Sequence, residues 1–342
     1  RFRHSFPTRR SSDLHSRETL PRALKSLENQ TDRKFIVTIV VDGDGEKYED
    51  ITSATPLNTH LFYLDKNYGP GFARQYALDR TPEMFKWIMF LDSDDYLNPR
   101  AVEVLTYEAE HNNAEVVASS IIHEEEVGLS VIIPAQDSRV WVHGKIYSNK
   151  FLKENEIQFP STDYNEDCLF NNLVFLKATR RFLVDEPLVI WKNNKNSITR
   201  TANTKNRALK NIRGYAHNVI ILFRKCHEGL LKPEDTIESP DFILTWLAGL
   251  YFQYMNSYVI NSTIAENEEV NAYLKEFFSY PEVIDVLSRP VQLRKLKLHS
   301  FAMEKEQIFF YHMSFDEFVY KFSGIKLDKN YNYEGENNGT NY

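Results

Sequence analysis

Cysteine is nearly absent: the 342 residues hold two, Cys168 and Cys226, and neither sits in a CxxC pair. That excludes a disulfide framework and a cysteine-held zinc cluster, and it fits a reducing, cytoplasmic compartment. Glycine is scarce as well, at 12 residues, and no stretch has the spacing of a dinucleotide-binding GxGxxG or of a P-loop. Nor is there a surplus of positive charge. Forty-one Lys+Arg face 48 Asp+Glu, for a net charge of −7, so no broad nucleic-acid footprint is expected and any polyanion site has to be local. What is present is core material. Hydrophobic residues make up 42% and aromatic ones 13%, which argues against general disorder, and the length allows two or three compact units.

The first fourteen residues, RFRHSFPTRRSSDL, are basic and Ser-rich and lack the apolar stretch of a secretion signal. His4 to Leu14 resembles the in-frame translation of a short-read sequencing adapter, against the alternative of a natural basic arm. Residues 1–14 are therefore expected to stand outside the fold, with the natural sequence beginning near His15 and its true start missing.

From Ser16 onward, helix and strand signals alternate. Ser16 to Asn29 puts Leu20, Leu24 and Leu27 on one helical stripe, with Ser16 as N-cap. Lys34 to Val41 is a β-branched run suited to a strand buried on both faces. A short strand is expected at Leu61–Leu64, a helix at Gly71–Leu78, a buried strand at Trp87–Leu91, a helix at Pro99–Ala109 and a strand at Glu115–Ile122. This alternation predicts an α/β doubly wound, mostly parallel sheet, whose ligands sit at the carboxyl ends of the strands. Gly43, Gly45, Gly69 and Gly71 follow two of the strand signals, where positive φ and close backbone approach are useful.

The strand Trp87–Leu91 delivers Asp92, Ser93, Asp94 and Asp95 to that end. Carboxylates packed this closely repel, and a hard divalent cation with oxygen ligands relieves the repulsion. The alternatives are a capping turn before the next helix and an EF-hand loop using Asp92, Asp94 and Glu103. Tyr96, and Leu97 where that loop needs glycine, count against the EF-hand.

Taken together, RETLPRALKSLENQT, VVDGDG, NYGPGFARQYA, FLDSDD and the stretch WVHGKIYSNKFLKENEIQFPSTDYNEDCLFNN resemble, in that order, the family 2 glycosyltransferases of GT-A fold. The last stretch is similar to the acceptor half of bacterial capsule, teichoic-acid and surface-polysaccharide enzymes. The resemblance implies a metal-dependent, inverting transfer of a hexose or N-acetylhexosamine from a UDP-type nucleotide sugar to a glycan hydroxyl, with Mn²⁺ or Mg²⁺ as the only cofactor.

Carried over by position, the resemblance implies that Asp42 binds the base, with Gly69 beside it, and that Arg74 lies near base and diphosphate. Asp94 is the implied metal ligand, Asp92 lies nearer the ribose and metal waters, and Asp95 is open, with ordering of Arg74 as one role. Asp167 is the implied general base, Glu166 an acceptor contact or loop-ordering residue; Glu166 and Asp167 also read as the acidic cap of a helix. His143 and Lys145 are candidates for the sugar or acceptor pocket, His143 also as a metal ligand or a structural residue. Trp191, Lys192 and Arg200 in Ser197–Arg200 match a segment that closes over the donor, Lys192 and Arg200 being alternatively a solvated basic face. The family's first strand, of the type IIPVYN, has no counterpart here, although Arg1–Pro7 can be drawn into its place.

The implied organisation is a 15–201 transferase domain with a 15–135 nucleotide-sugar half and a 136–201 acceptor half. A 202–326 helical region and a 327–342 disordered tail follow. In the helical region, Arg200, Lys205, Arg207, Lys210, Arg213, Arg224 and Lys225 form either a solvated face or a groove for an anionic acceptor such as a lipid-linked glycan. Phe242 to Ala265 runs 24 residues without charge, but its polar second half favours a buried or partner-facing helix over a peripheral membrane one. The rival functions are a non-catalytic glycan-binding module and a nucleotidyltransferase.

Overall fold

The computed structural model describes residues 4–9, 16–124, 128–137, 141–160, 165–192, 204–228, 240–289 and 312–327. Two compact units, Arg1–Ala202 and Asn203–Tyr342, divide the chain.

The first unit is built on one twisted mixed sheet. Its strands are β1 (His4–Arg9), β2 (Phe35–Val41), β3 (Thr59–Tyr63), β4 (Trp87–Ile88), β5 (Leu91–Asp92), β6 (Tyr96–Leu97), β7 (Val116–Glu124), β8 (Ser130–Ile133), β9 (Lys145–Ser148) and β10 (Arg181–Lys192). They run in the order β3-β2-β1-β4-β9-β7-β10-β6, with β5 against β1 and β8 against β7. The half from β3 to β4 and β5 is parallel throughout. In the other half β9, β8 and β6 run antiparallel to their neighbours, while β7 and β10 stay parallel. The expected strand Trp87–Leu91 is split by Met89 and Phe90 into β4 and β5.

The central position, which has no family-type strand in the sequence and into which Arg1–Pro7 can be drawn, is filled. His4–Arg9 pairs in parallel with β2 from His4↔Phe35 to Arg9↔Val40, and on its other side with β4 and β5. The edges of β2 and of β4 with β5 present N–H and C=O groups that need partners, and any extended backbone supplies them without β-branched side chains. Pro7, opposite Thr38, withholds one donor.

The helices of this unit are α1 (Ser16–Glu28), α2 (Glu49–Ala54), α3 (Pro70–Asp79), α4 (Ala101–His111), α5 (Asn149–Glu154) and α6 (Glu166–Lys177). Leu20, Ala23, Leu24 and Leu27 of α1 and Val102, Leu105 and Ala109 of α4 pack on the fully buried FIVTIVV run of β2 and on Trp87, Leu91 and Val117. Gln30 locks the layer: its side chain donates to the Asn98 carbonyl and accepts from the Val102 amide.

The turn after β2 admits no side chain at Gly43. Its φ is +61°, and a Cβ would stand 2.0 Å from the Lys66 carbonyl carbon and 2.3 Å from the Asn67 nitrogen, both backbone. Gly45, at φ +79°, would meet nothing within 4 Å. Gly45→Ala is therefore expected to cost about 1 kcal/mol for its backbone conformation alone, and Gly43→Ala several times that. Paired thermal melts check the difference.

The second unit is helical: α7 (Thr204–His227), α8 (Pro240–Ile260), α9 (Glu268–Phe277), α10 (Pro281–Leu287) and α11 (Phe315–Ser323). Tyr254, Phe223, Phe277, Phe278, Phe318 and Phe322 fill its core. Ile243, Leu244, Leu247, Leu250 and Met255 of α8 are buried as well, and among the described residues no helix is long and apolar enough to cross a membrane.

Candidate active site

The acidic turn hangs from the carboxyl end of β5. Asp92 ends the strand, and the Asp95 amide donates back to the Asp92 carbonyl at 3.1 Å, closing the turn into β6. Asp94 is half-buried in the turn, its backbone carbonyl accepting from the Arg22 guanidinium of α1.

Asp95 turns inward and is only 1% exposed. One of its oxygens accepts from the Lys192 amide at 3.0 Å; the other faces His143 Nδ1 at 3.1 Å, an ion-pair contact without good hydrogen-bond alignment. Burial pushes the His143 imidazole down, but Asp95 outweighs this and lifts its pKa to about 9. Burial pushes the Asp95 carboxyl up.

Asp92, Asp95 and His143 each offer a ligand atom, all within 4.8 Å of one another, and can hold a metal ion. Asp94, the ligand implied by resemblance, is outside this group. The donor set suits a divalent cation on two grounds. Asp95 Oδ2 and His143 Nδ1 are buried and face each other at 3.1 Å without hydrogen-bond alignment, and the two carboxylates of the group offer a hard cation oxygen ligands.

Arg74 is delivered by α3, which starts at Gly69 (φ +88°) with Pro70 in its first turn. Its Nη2 lies 2.9 and 3.1 Å from the two Asp92 oxygens, and its Nη1 donates to Glu166 Oε1 at 2.7 Å. The guanidinium is 3% exposed and lies 5.8 Å from the Phe159 ring centre. The expected ordering of Arg74 by Asp95 is corrected: its carboxylate partners are Asp92 and Glu166, because Asp95 points the other way, to His143.

Asp42, buried at the end of β2, spends its oxygens on the amides of Tyr68 (2.7 Å) and Gly69 (2.9 Å). In this conformation its carboxylate shapes the loop into α3.

Glu166 and Asp167 open α6 after Asn165, which adopts a left-handed conformation at φ +61°. Asp167 is half-buried, and one of its oxygens accepts the Cys168 amide at 2.9 Å, as the capping reading expects. Desolvation in the cleft and the neighbouring Glu166 charge raise its pKa to about 7, with Arg74 and His143 opposing. A plain helix cap has its pKa lowered by the helix end, so the cap alone does not describe this carboxyl.

Lys145, fully buried at the start of β9, donates to the Trp141 carbonyl at 2.6 Å, and burial lowers its pKa to about 7. It braces the turn that carries His143. Trp191 stacks on His143 with ring centres 5.7 Å apart and contacts His123 and Trp141. Lys192 is paired with Glu124 at 2.9 Å. Arg200 and Ser197–Arg200 lie outside the described residues, as does the 328–342 part of the tail.

Sequence reasoning missed His123, Trp141 and Glu124. The aromatic positions at the ends of β7 and β10 were the available signal. In the helical unit, Arg213 and Arg224 of the basic stretch pair with Glu269 and Glu276.

The site is thus an acidic turn at the carboxyl end of a parallel strand, faced by a second pair of carboxylates at a helix start. The chain matches the model of glycosyl transferase family 2 over residues 13–165. It is 22% identical over 286 residues to the minor teichoic acid biosynthesis protein GgaA of Bacillus subtilis (strain 168), covering 76% of this chain and 62% of that protein. To the poly(ribitol-phosphate) beta-N-acetylglucosaminyltransferase TarS of Staphylococcus aureus (strain Mu50) it is 28% identical over 187 residues, 48% of this chain and 32% of TarS. The chain thus spans less than two thirds of the length of these relatives.

Among solved structures, S. aureus TarS 1-349 in complex with UDP-GlcNAc superposes with a TM-score of 0.61 at 17% identity, over 94% of this chain and 91% of that one. The UDP complex gives 0.57 at 20% identity, over 91% and 93%. These likenesses establish the GT-A fold with its helical C-terminal region.

Proposed function

We propose that the chain transfers a sugar, in the first place N-acetylglucosamine, from a UDP-sugar to a hydroxyl of a teichoic-acid-type cell-surface polymer, with inversion at the anomeric carbon. The observation that carries this reading is the pairing of two carboxylate groups across one cleft. Asp92 of the acidic turn and Glu166, the neighbour of Asp167 at the start of α6, are held on the two arms of one buried arginine. UDP-GlcNAc in the TarS complex and the β-linkage in the name of TarS support the donor and the inversion, since an α-linked sugar nucleotide yields a β product by inversion.

Asp167 is the general base. A carboxyl with its pKa near 7 is ionised enough to accept the acceptor's proton and basic enough to gain by doing so. A divalent cation held by Asp92 and its neighbours would supply charge stabilisation to the leaving diphosphate. An imidazole in the donor set favours Mn²⁺ over Mg²⁺. Asp94, at the open side of the turn, is proposed to add an oxygen ligand directly or through water. Asp42, Gly69 and the loop they shape form the wall for the base, and Trp191 with His143 lines the sugar side. The reaction belongs on the cytoplasmic side, where sugar nucleotides are available, at or near the membrane that presents lipid-linked polymer.

Release of UDP from UDP-GlcNAc tests the reading. Turnover should require Mn²⁺, fall at least tenfold with Mg²⁺ in its place and vanish with EDTA. Metal-independent turnover would remove the cation from the account.

A further inference from the structure

The geometry points to Arg74 as a positioning residue: by holding Asp92 on one arm and Glu166 on the other, it sets the spacing between the donor-side carboxylates and the base Asp167. This rests on the transferase reading above. Three segments far apart in sequence meet at this side chain, the start of α3, the end of β5 and the start of α6. Both terminal nitrogens of the guanidinium are engaged, and with 3% exposure it presents almost no surface to a ligand. A residue that clamps a diphosphate directly has to offer its donors to the cleft. Here they are turned onto the walls of the cleft.

The backbone is shaped for this bridge. Gly71, one turn before Arg74, would carry a Cβ 2.4 Å from the Pro160 carbonyl oxygen and 3.1 Å from Glu166 Cβ. Only glycine lets the start of α3 approach the segment leading into α6 closely enough for Arg74 to reach Glu166. Gly71 and Arg74 thus form one device: the glycine closes the gap and the arginine fixes its width. Phe159 backs the guanidinium from the same segment. In an in-line displacement the acceptor oxygen, the anomeric carbon and the leaving oxygen must align, so a base displaced by about 1 Å costs about 10²-fold in rate while the nucleotide still binds.

The test separates turnover from binding in the full chain. UDP-GlcNAc turnover with Mn²⁺ gives kcat, calorimetry gives the UDP Kd, and circular dichroism with thermal melting verifies folding. Arg74→Lys, which keeps the charge but cannot bridge two carboxylates, is expected to lower kcat by about 10²-fold with UDP Kd within about threefold. Gly71→Ala is expected to show the same split without any change of charge. The Arg74→Lys, Glu166→Gln double variant should lose no more than the worse single one, since the pair acts as a unit.

A UDP affinity weakened tenfold or more with kcat retained in Arg74→Lys makes Arg74 a direct diphosphate contact and overturns the proposal. So does wild-type kcat in Gly71→Ala. If Arg74→Lys does not fold, Gly71→Ala and Glu166→Gln decide by the same split. A wild-type chain that binds UDP but turns over no sugar nucleotide instead refutes the transferase reading and the positioning role with it.

Discussion

Replacing Asp167 by asparagine is expected to lower kcat by about 10²–10⁴-fold, the usual contribution of a general base. UDP affinity should stay near wild type, because the proposed base acts on the acceptor and not on the nucleotide. The same replacement is expected to stabilise the fold at pH 8. The Asp167 pKa is raised from an ordinary carboxyl value to about 7. Its protonated form is therefore the one the fold favours: that stabilisation is complete below about pH 4 and is lost as pH rises through 7. At pH 8 the wild type carries a buried negative charge that asparagine lacks, worth about 1–2 kcal/mol for a carboxyl half open to water. Asparagine keeps an oxygen for the Cys168 amide. The melting difference should shrink toward zero near pH 4. The base also has to be ionised to act, so wild-type kcat/KM should rise to a plateau above pH 7 and lie about tenfold lower at pH 6.

Arg74→Met is expected to cost about 3–5 kcal/mol of stability, since it leaves Glu166 and Asp92 charged at the bottom of the cleft without their partner. Adding Glu166→Gln should recover part of the loss by removing the more buried of the two stranded charges. Urea unfolding followed by tryptophan fluorescence distinguishes the three proteins. A single Arg74→Met that unfolds like the wild type would mean that water replaces the guanidinium freely and that the cleft is wetter than its burial suggests.

These two residues also mark how far the sequence carries. Asp92 is singled out by the buried apolar strand it follows, and Asp167, which beside a helical run reads equally as a cap, only by the family resemblance. The elements around them were legible from local signals: the FIVTIVV run lies fully buried as β2, and the leucine stripe of α1 faces the core. The partnerships were not legible. Arg74 meets Glu166 across 92 positions and Asp92 across 18, and no periodicity encodes which buried cation finds which carboxylate.

Asp95 shows the limit most clearly. Within one four-residue turn, the direction of each side chain depends on turn geometry, so Asp95 goes to His143 while Asp92 goes to Arg74. β1 was foreseen only as Arg1–Pro7 drawn into the place of a missing strand, for the opposite reason. Its place is determined by unpaired backbone on both sides, and its own side chains say nothing of strand.

The anomeric configuration of the first product tests the central claim most directly, and it needs no knowledge of the natural acceptor. With UDP-GlcNAc, Mn²⁺ and water standing in for the acceptor hydroxyl, proton NMR in the first minutes of turnover should show the β anomer of free N-acetylglucosamine ahead of mutarotation. The signal should be absent in Asp167→Asn. The α anomer appearing first, or equal turnover by Asp167→Asn, would contradict a single-displacement transfer with Asp167 as its base.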